Sequence, residues 1–144
     1  MTAIAIVVDP ASLRREASGN VAGALTLRGE AAEFPAAGWF DFPVVVLAWW
    51  IQGLLELSSG TLESFQGLFM EGPYAFTVLG NAEGVAAIAW GHRGKEMPVG
   101  AVPVQELLQS AVRAGEIVAR ACRAHNWCNS DLNHLEEALA RASV

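Results

Sequence analysis

Four residues with metal-ligating side chains crowd the C-terminal region: Cys122, His125, Cys128 and His134, spaced C-x2-H-x2-C-x5-H. Zinc fingers and ribbons hold their ligands as close pairs on loops or knuckles. This spacing departs from that pattern. Cys122 also falls on the apolar stripe of a predicted helix, where a free cysteine acts as a small hydrophobe. The expectation is helix-end packing, with no metal and no cofactor. A continuous helix sets Cys122 and Cys128 about 9 Å apart, beyond the ~7 Å that a disulfide spans. Two such residues make no framework, and a reduced, cytoplasmic state is expected.

Other chemistry is as sparsely supported. No Gly-x-Ser-x-Gly elbow surrounds any serine. Neither GxGxxG nor GxxxxGKS/T is present, so the polar turn Gly91-His92-Arg93-Gly94 is no phosphate loop. His92, beside Arg93 and Lys95, reads as a solvated turn residue. Asp41, Glu56 and Glu71 offer carboxylates for acid–base work, but their spacing does not force them together. The chain is not expected to be an enzyme.

Charge is the sharpest feature. No lysine or arginine occurs from Gly29 to Gly91, while Glu30, Glu33, Asp41, Glu56, Glu63, Glu71 and Glu83 all do. That segment carries −7 and the remainder +1, which sums to the net −6. A sequence pI near 4.9 argues against binding nucleic acid through its phosphates. A one-signed segment suits either plain solubility or an acidic face for a basic partner. Because these carboxylates fall on a helix edge, strand ends and loops, a shared surface is possible.

The elements that must position these groups follow from periodicity. With 144 residues, 53% hydrophobic and 17% charged, the chain is not disordered and suits one domain, 1–144. The opening MTAIAIVVDP has no basic residue ahead of its short apolar run, so it reads as a strand over 3–8 rather than a signal peptide. A polar loop or short helical turn follows over 11–20, then a strand over 21–28. A helix is expected within 36–60, with Asp41 as N-cap, Pro43 in the first turn and Gly60 as the stop. Its apolar stretch, Phe42 to Leu57, is broken by Gln52, Gly53 and Glu56 and falls short of the ~20 residues that a membrane span needs. No membrane role is expected.

Three strands are expected at 64–71, 74–79 and 85–90, with hairpin signals at Glu71-Gly72-Pro73 and Gly80 to Gly84. Pro103 opens a helix with an apolar stripe of Leu107, Leu108, Ala111, Gly115, Val118 and Cys122. Ion pairs are expected at Glu116–Arg120 and Glu137–Arg141. A polar break at 126–130 precedes a last helix capped by Asn129 or Ser130. The order is β, β, α, β, β, β, α, α. This implies an α+β fold: an antiparallel sheet of about five strands with helices on one face, two of them C-terminal. Of the five tryptophans, Trp49 and Trp50 point about 100° apart on a helix. One of that pair should pack on the sheet; the other should cover a second face, a helix or a partner.

The run Gly38-Trp39-Phe40-Asp41-Phe42-Pro43, leading through Val44–Ala48 to Trp49-Trp50, precedes Phe69-Met70-Glu71-Gly72-Pro73-Tyr74. A W-x-D-F helix start, a Trp-rich helix and an F-x-E-G-P hairpin resemble small bacterial immunity proteins of polymorphic toxin systems. The likeness covers about the middle third of the chain and rests on structural motifs. It implies a cytoplasmic inhibitor, without enzymatic activity, that occludes the active site of a cognate toxin domain. On this reading the toxin is basic. Glu56, Glu63, Glu71 and Glu83 steer it, and Trp39 or Tyr74, next to Asp41, supplies a desolvated anchor. Two alternatives stay open. One is a small-molecule-binding or enzymatic α+β domain with a Trp-lined pocket. The other is a structural subunit that forms a homodimer through an exposed apolar helix.

Overall fold

In the computed structural model, which describes residues 3–143, Ile4, Ile6 and Val8 are buried and alternate with more exposed neighbours. That period of two makes Ala5–Val8 strand β1. A 3-10 turn over Pro10–Ser12 leads to β2 (Arg14–Arg15) and β3 (Val21–Arg28). β3 is buried on both faces, by Val21, Leu25 and Leu27 on one side and Ala22 and Thr26 on the other. It pairs antiparallel with β1, β2 and two further short strands, β4 (Glu33–Phe34) and β5 (Phe40–Asp41).

Helix α1 covers Pro43–Ser58. Proline fits the first turn because its missing N–H has no intrahelical partner there. Phe42, not Asp41, holds the N-cap position, and no side chain caps it. The β-branched run Val44–Val46 is helical because burial outweighs its weak intrinsic preference. Gly60, at φ +84°, turns the chain after the helix, where a Cβ would be strained. Trp50 is fully buried and its neighbour Trp49 is 49% exposed.

β6 (Ser64–Leu68), β7 (Tyr74–Gly80), β8 (Val85–His92) and β9 (Met97–Pro103) form a second antiparallel sheet in that order. Phe76, Val78 and Ile88 face the core, while Leu79 alternates outward. The strands therefore divide into sheets of five and four rather than one sheet of about five. α1 meets β6 at Gly53, where a Cβ would lie 2.1 Å from the Phe65 ring. Gly53→Ala should cost about 1–3 kcal/mol by overpacking, despite alanine's helix preference of ~1 kcal/mol. A lowered urea midpoint would show it; an unchanged one would mean that the ring moves freely.

α2 (Val104–Ala124) buries the expected stripe, Leu107 to Cys122, and packs on β1. The Ser110 hydroxyl accepts the buried Ile6 N–H at 2.9 Å. Asn126, at φ +58°, ends the helix: the Trp127 N–H reaches Cys122 O at 2.8 Å and the Asn126 N–H reaches Arg123 O at 3.2 Å. That pair of bonds is the Schellman arrangement. Asn129 then caps α3 (Ser130–Ala142), its side chain accepting from the Leu132 N–H at 2.9 Å. α3 packs on α1 and α2. The expected Glu116–Arg120 and Glu137–Arg141 ion pairs do not form; Arg123 of α2 instead grips Glu136 of α3. The architecture is α+β, and no helix among the described residues is long and apolar enough to cross a membrane.

Candidate functional site

The C-terminal end of α1 opens onto a groove of about 530 Å3, walled by Leu57, Ser59, Glu63, Leu79, Asn81 and Gln105. Local chemistry builds each wall. After Gly60 the chain turns into β6, which places Glu63 at the strand's start. The Asn81 side chain accepts the N–H groups of Glu83 and Val85, at 2.9 and 3.0 Å, and shapes the hairpin that carries Glu83. The Val104 N–H donates to Gly84 O at 2.9 Å, fixing the start of α2 beside that hairpin. Leu79 is 57% exposed within the groove.

No lysine or arginine lines this groove. The last turn of α1 holds no basic residue, but its Leu55, Glu56 and Leu57 carbonyls accept the N–H groups of Ser59, Leu62 and Gly60, and the N-terminus of α2 lines the same groove with the opposite partial charge. Glu63 and Glu83 are exposed, and Glu56 is half-buried with its Oε1 accepting from Gln52 Nε2 at 3.1 Å. Of the expected partner-binding carboxylates, Glu63 lines the groove and Glu83 sits on its hairpin, while Glu56 lines a neighbouring groove together with Arg141 of α3. Leu79, Asn81 and Gln105 complete the site and were missed as site residues. The outward position of Leu79 in a strand of alternating burial was the available signal.

The other expected site residues lie at the opposite end of α1, which is about 24 Å long at 1.5 Å per residue. Asp41 is 1% exposed. Its Oδ1 accepts the N–H groups of Phe42 and Met70 at 2.8 and 3.1 Å, and its Oδ2 accepts Glu71 N–H and Trp39 Nε1–H, both at 3.1 Å. Asp41 is thus an internal clamp and not a docking residue, because its oxygens are buried and bonded within the chain. Trp39 and Tyr74 come together edge to face, ring centroids 5.3 Å apart, and both are half-buried. Tyr74 also packs on Phe34 and His92, and Phe34 stacks on Trp90 at 5.1 Å. Glu71 is exposed and shares a shallow groove with Arg14, which lies over the Phe40 ring. The acidic segment therefore presents two separated faces, not one, and an arginine from a terminal region borders each: Arg141 beside Glu56 at the first and Arg14 beside Glu71 at the second.

The Cys/His cluster disperses. Cys122 is fully buried and its thiol is pushed up to about 11, chiefly by burial. Cys128 is exposed, with Arg123 Nη1 3.4 Å from its sulfur. His125 stacks on Trp127 at 4.4 Å, while His134 lines a different groove, between α3 and Trp49 of α1. Among the described residues no three His, Cys, Asp or Glu side chains are placed to hold one metal ion. Arg123 donates to both Glu136 oxygens and holds that carboxyl below its usual range. Comparison of the chain with models of known protein families, with curated proteins and with solved structures finds no match in any of the three.

Proposed function

We propose that this chain is an immunity-type binding protein that neutralises a basic toxin domain, with the groove at the end of α1 as its docking site. One observation carries the reading: a groove with no lysine or arginine in its walls, with Glu63 in the wall and Glu83 at the tip of the hairpin whose Ala82 and Gly84 line it. Such a surface attracts a cationic partner from a distance and penalises an anionic one. Exposed Leu79 supplies apolar area at the centre of the contact, where desolvation contributes most. Inhibition follows when a partner whose own substrate is anionic buries its basic cleft against this end.

Co-purification from the native cell, with mass spectrometry of bound protein, tests the proposal. A stable basic partner is expected. Exchanging Glu63 and Glu83 together for lysine should slow its association at least about tenfold at low salt, and flatten the dependence of that rate on ionic strength. Recovery of a tightly held metabolite and no protein would overturn the reading. So would an association rate indifferent to both charge and salt.

The homodimer reading has one observation in its favour: Trp49, 49% exposed on α1, beside a groove shared with α3. A monomeric mass in sedimentation at micromolar concentration would eliminate it.

A further inference from the structure

The four-stranded sheet has two edges, and they are built differently. β9 carries Pro98 and Pro103, which have no N–H to offer, and its pairing with β8 is interrupted by a register shift at Ile88/Ala89. Such features blunt an edge against further pairing. β6 has neither device: Ser64-Phe65-Gln66-Gly67-Leu68 holds no proline and no charge.

The ladder shows which β6 groups are free. Gly80 N–H donates to Glu63 O at 3.1 Å and Phe69 N–H donates to Tyr74 O at 3.3 Å. In an antiparallel pair, hydrogen-bonded positions alternate along the strand. Glu63, Phe65, Gly67 and Phe69 therefore face β7 with their backbone groups, and Ser64, Gln66 and Leu68 face away. Trp50 Nε1–H closes the Leu68 end by donating to Leu68 O at 3.1 Å. The N–H and C=O of Ser64 and Gln66 point outward from two exposed residues.

Charge indicates what suits this edge. Glu63 directly precedes it. Glu56 lies on the same flank of α1 as Gly53, which touches Phe65. On the outer sheet face the Glu96 carboxylate accepts Gln66 Nε2–H at 3.0 Å; hydrogen bonds from its own N–H and that of Gly94 hold it below its usual range. Arg93 and Lys95 on the β8–β9 turn stand beside Glu96, and Arg141 shares a groove with Glu56, while the groove that Glu63 lines holds no lysine or arginine.

We propose that the Ser64–Gln66 edge of β6 is a strand-addition site whose occupant is an extended basic segment of the partner protein. The inference rests on the docking reading above and deepens it, because the edge begins at Glu63 in the groove wall. Main-chain bonds to Ser64 and Gln66 supply register. Alternate side chains of the added strand reach Glu56 and Glu63 on one face and Glu96 on the other.

The test uses the full chain with a capped heptapeptide of alternating lysine and valine as probe, and its glutamate–valine counterpart as control. At saturation the lysine peptide should slow amide exchange at Ser64 and Gln66 about tenfold or more, and the glutamate peptide should not. Gln66→Pro removes an N–H that bonds nothing within the sheet, and should abolish binding while Gln66→Ala retains it. Ser64→Pro serves in its place should Gln66→Pro lower the melting temperature. No binding, binding without protection of those two amides, or unchanged binding by the proline variants would overturn the proposal. If a co-purified basic partner binds the proline variants as tightly as the natural chain, strand addition fails and docking stands. If the peptide protects the edge but cells yield no basic partner, the docking reading fails instead.

Discussion

Asp41→Ala is expected to cost about 3–5 kcal/mol, a large share of the 5–15 kcal/mol typical of a whole domain. The carboxylate is buried and receives four N–H donors, from Trp39, Phe42, Met70 and Glu71. Alanine leaves these part-buried donors without their acceptor, and each such loss costs about 1–3 kcal/mol where water cannot enter. Asp41→Asn should be nearly as damaging despite its matched shape. Both oxygens of Asp41 accept two bonds, so an amide must turn its NH2 toward two donors whichever way it is placed. Urea unfolding followed by fluorescence will measure this. Equal midpoints for Asp41→Asn and the natural chain would show that the clamp is dispensable.

Trp50→Ala should have an effect of comparable size, about 3–5 kcal/mol. The ring is fully buried and meets Phe69 and Phe76 edge to face, at 5.0 and 4.9 Å. Trp50→Phe separates packing from hydrogen bonding. It preserves much of the aromatic contact but leaves Leu68 O without its donor, at about 1–3 kcal/mol. Asp41 and Trp50 hold the same stretch, since one binds the Met70 and Glu71 amides and the other Leu68 O. Their double variant should therefore fall short of the sum of the singles. Strict additivity would mean that Asp41 and Trp50 hold the turn after β6 independently of each other.

Much of this fold was legible because its signals are periodic. Ile4, Ile6 and Val8, or Phe76 and Val78, announce strands by alternation, and Leu107 to Cys122 announce a helix by threes and fours. β9 stayed hidden because Pro98, Gly100 and Pro103 argue against a strand, and edge position is what makes them tolerable. β4 and β5 are two residues each, too short for any period to register. Charge counting found the sign of the acidic segment but not its geography. A helix of 16 residues separates Glu71 from Glu56, Glu63 and Glu83, and linear spacing contains nothing about that. Asp41, expected as the helix cap and a partner contact, is neither. Its neighbours Trp39, Phe40, Phe42 and Pro43 are the clue, since a carboxylate among such residues must be either solvated at the surface or fully bonded inside.

The bond from Ile6 to Ser110 joins positions 104 residues apart, and α2 is what packs over β1. A ribosome adding 5–20 residues per second takes roughly 5–20 s to make the intervening chain. Throughout that interval β1, with Ile4, Ile6 and Val8, lacks the helix that shields it. Nascent polypeptides are thus vulnerable to clumping during translation, and chaperone demand should concentrate on β1 rather than on the tryptophan-rich centre.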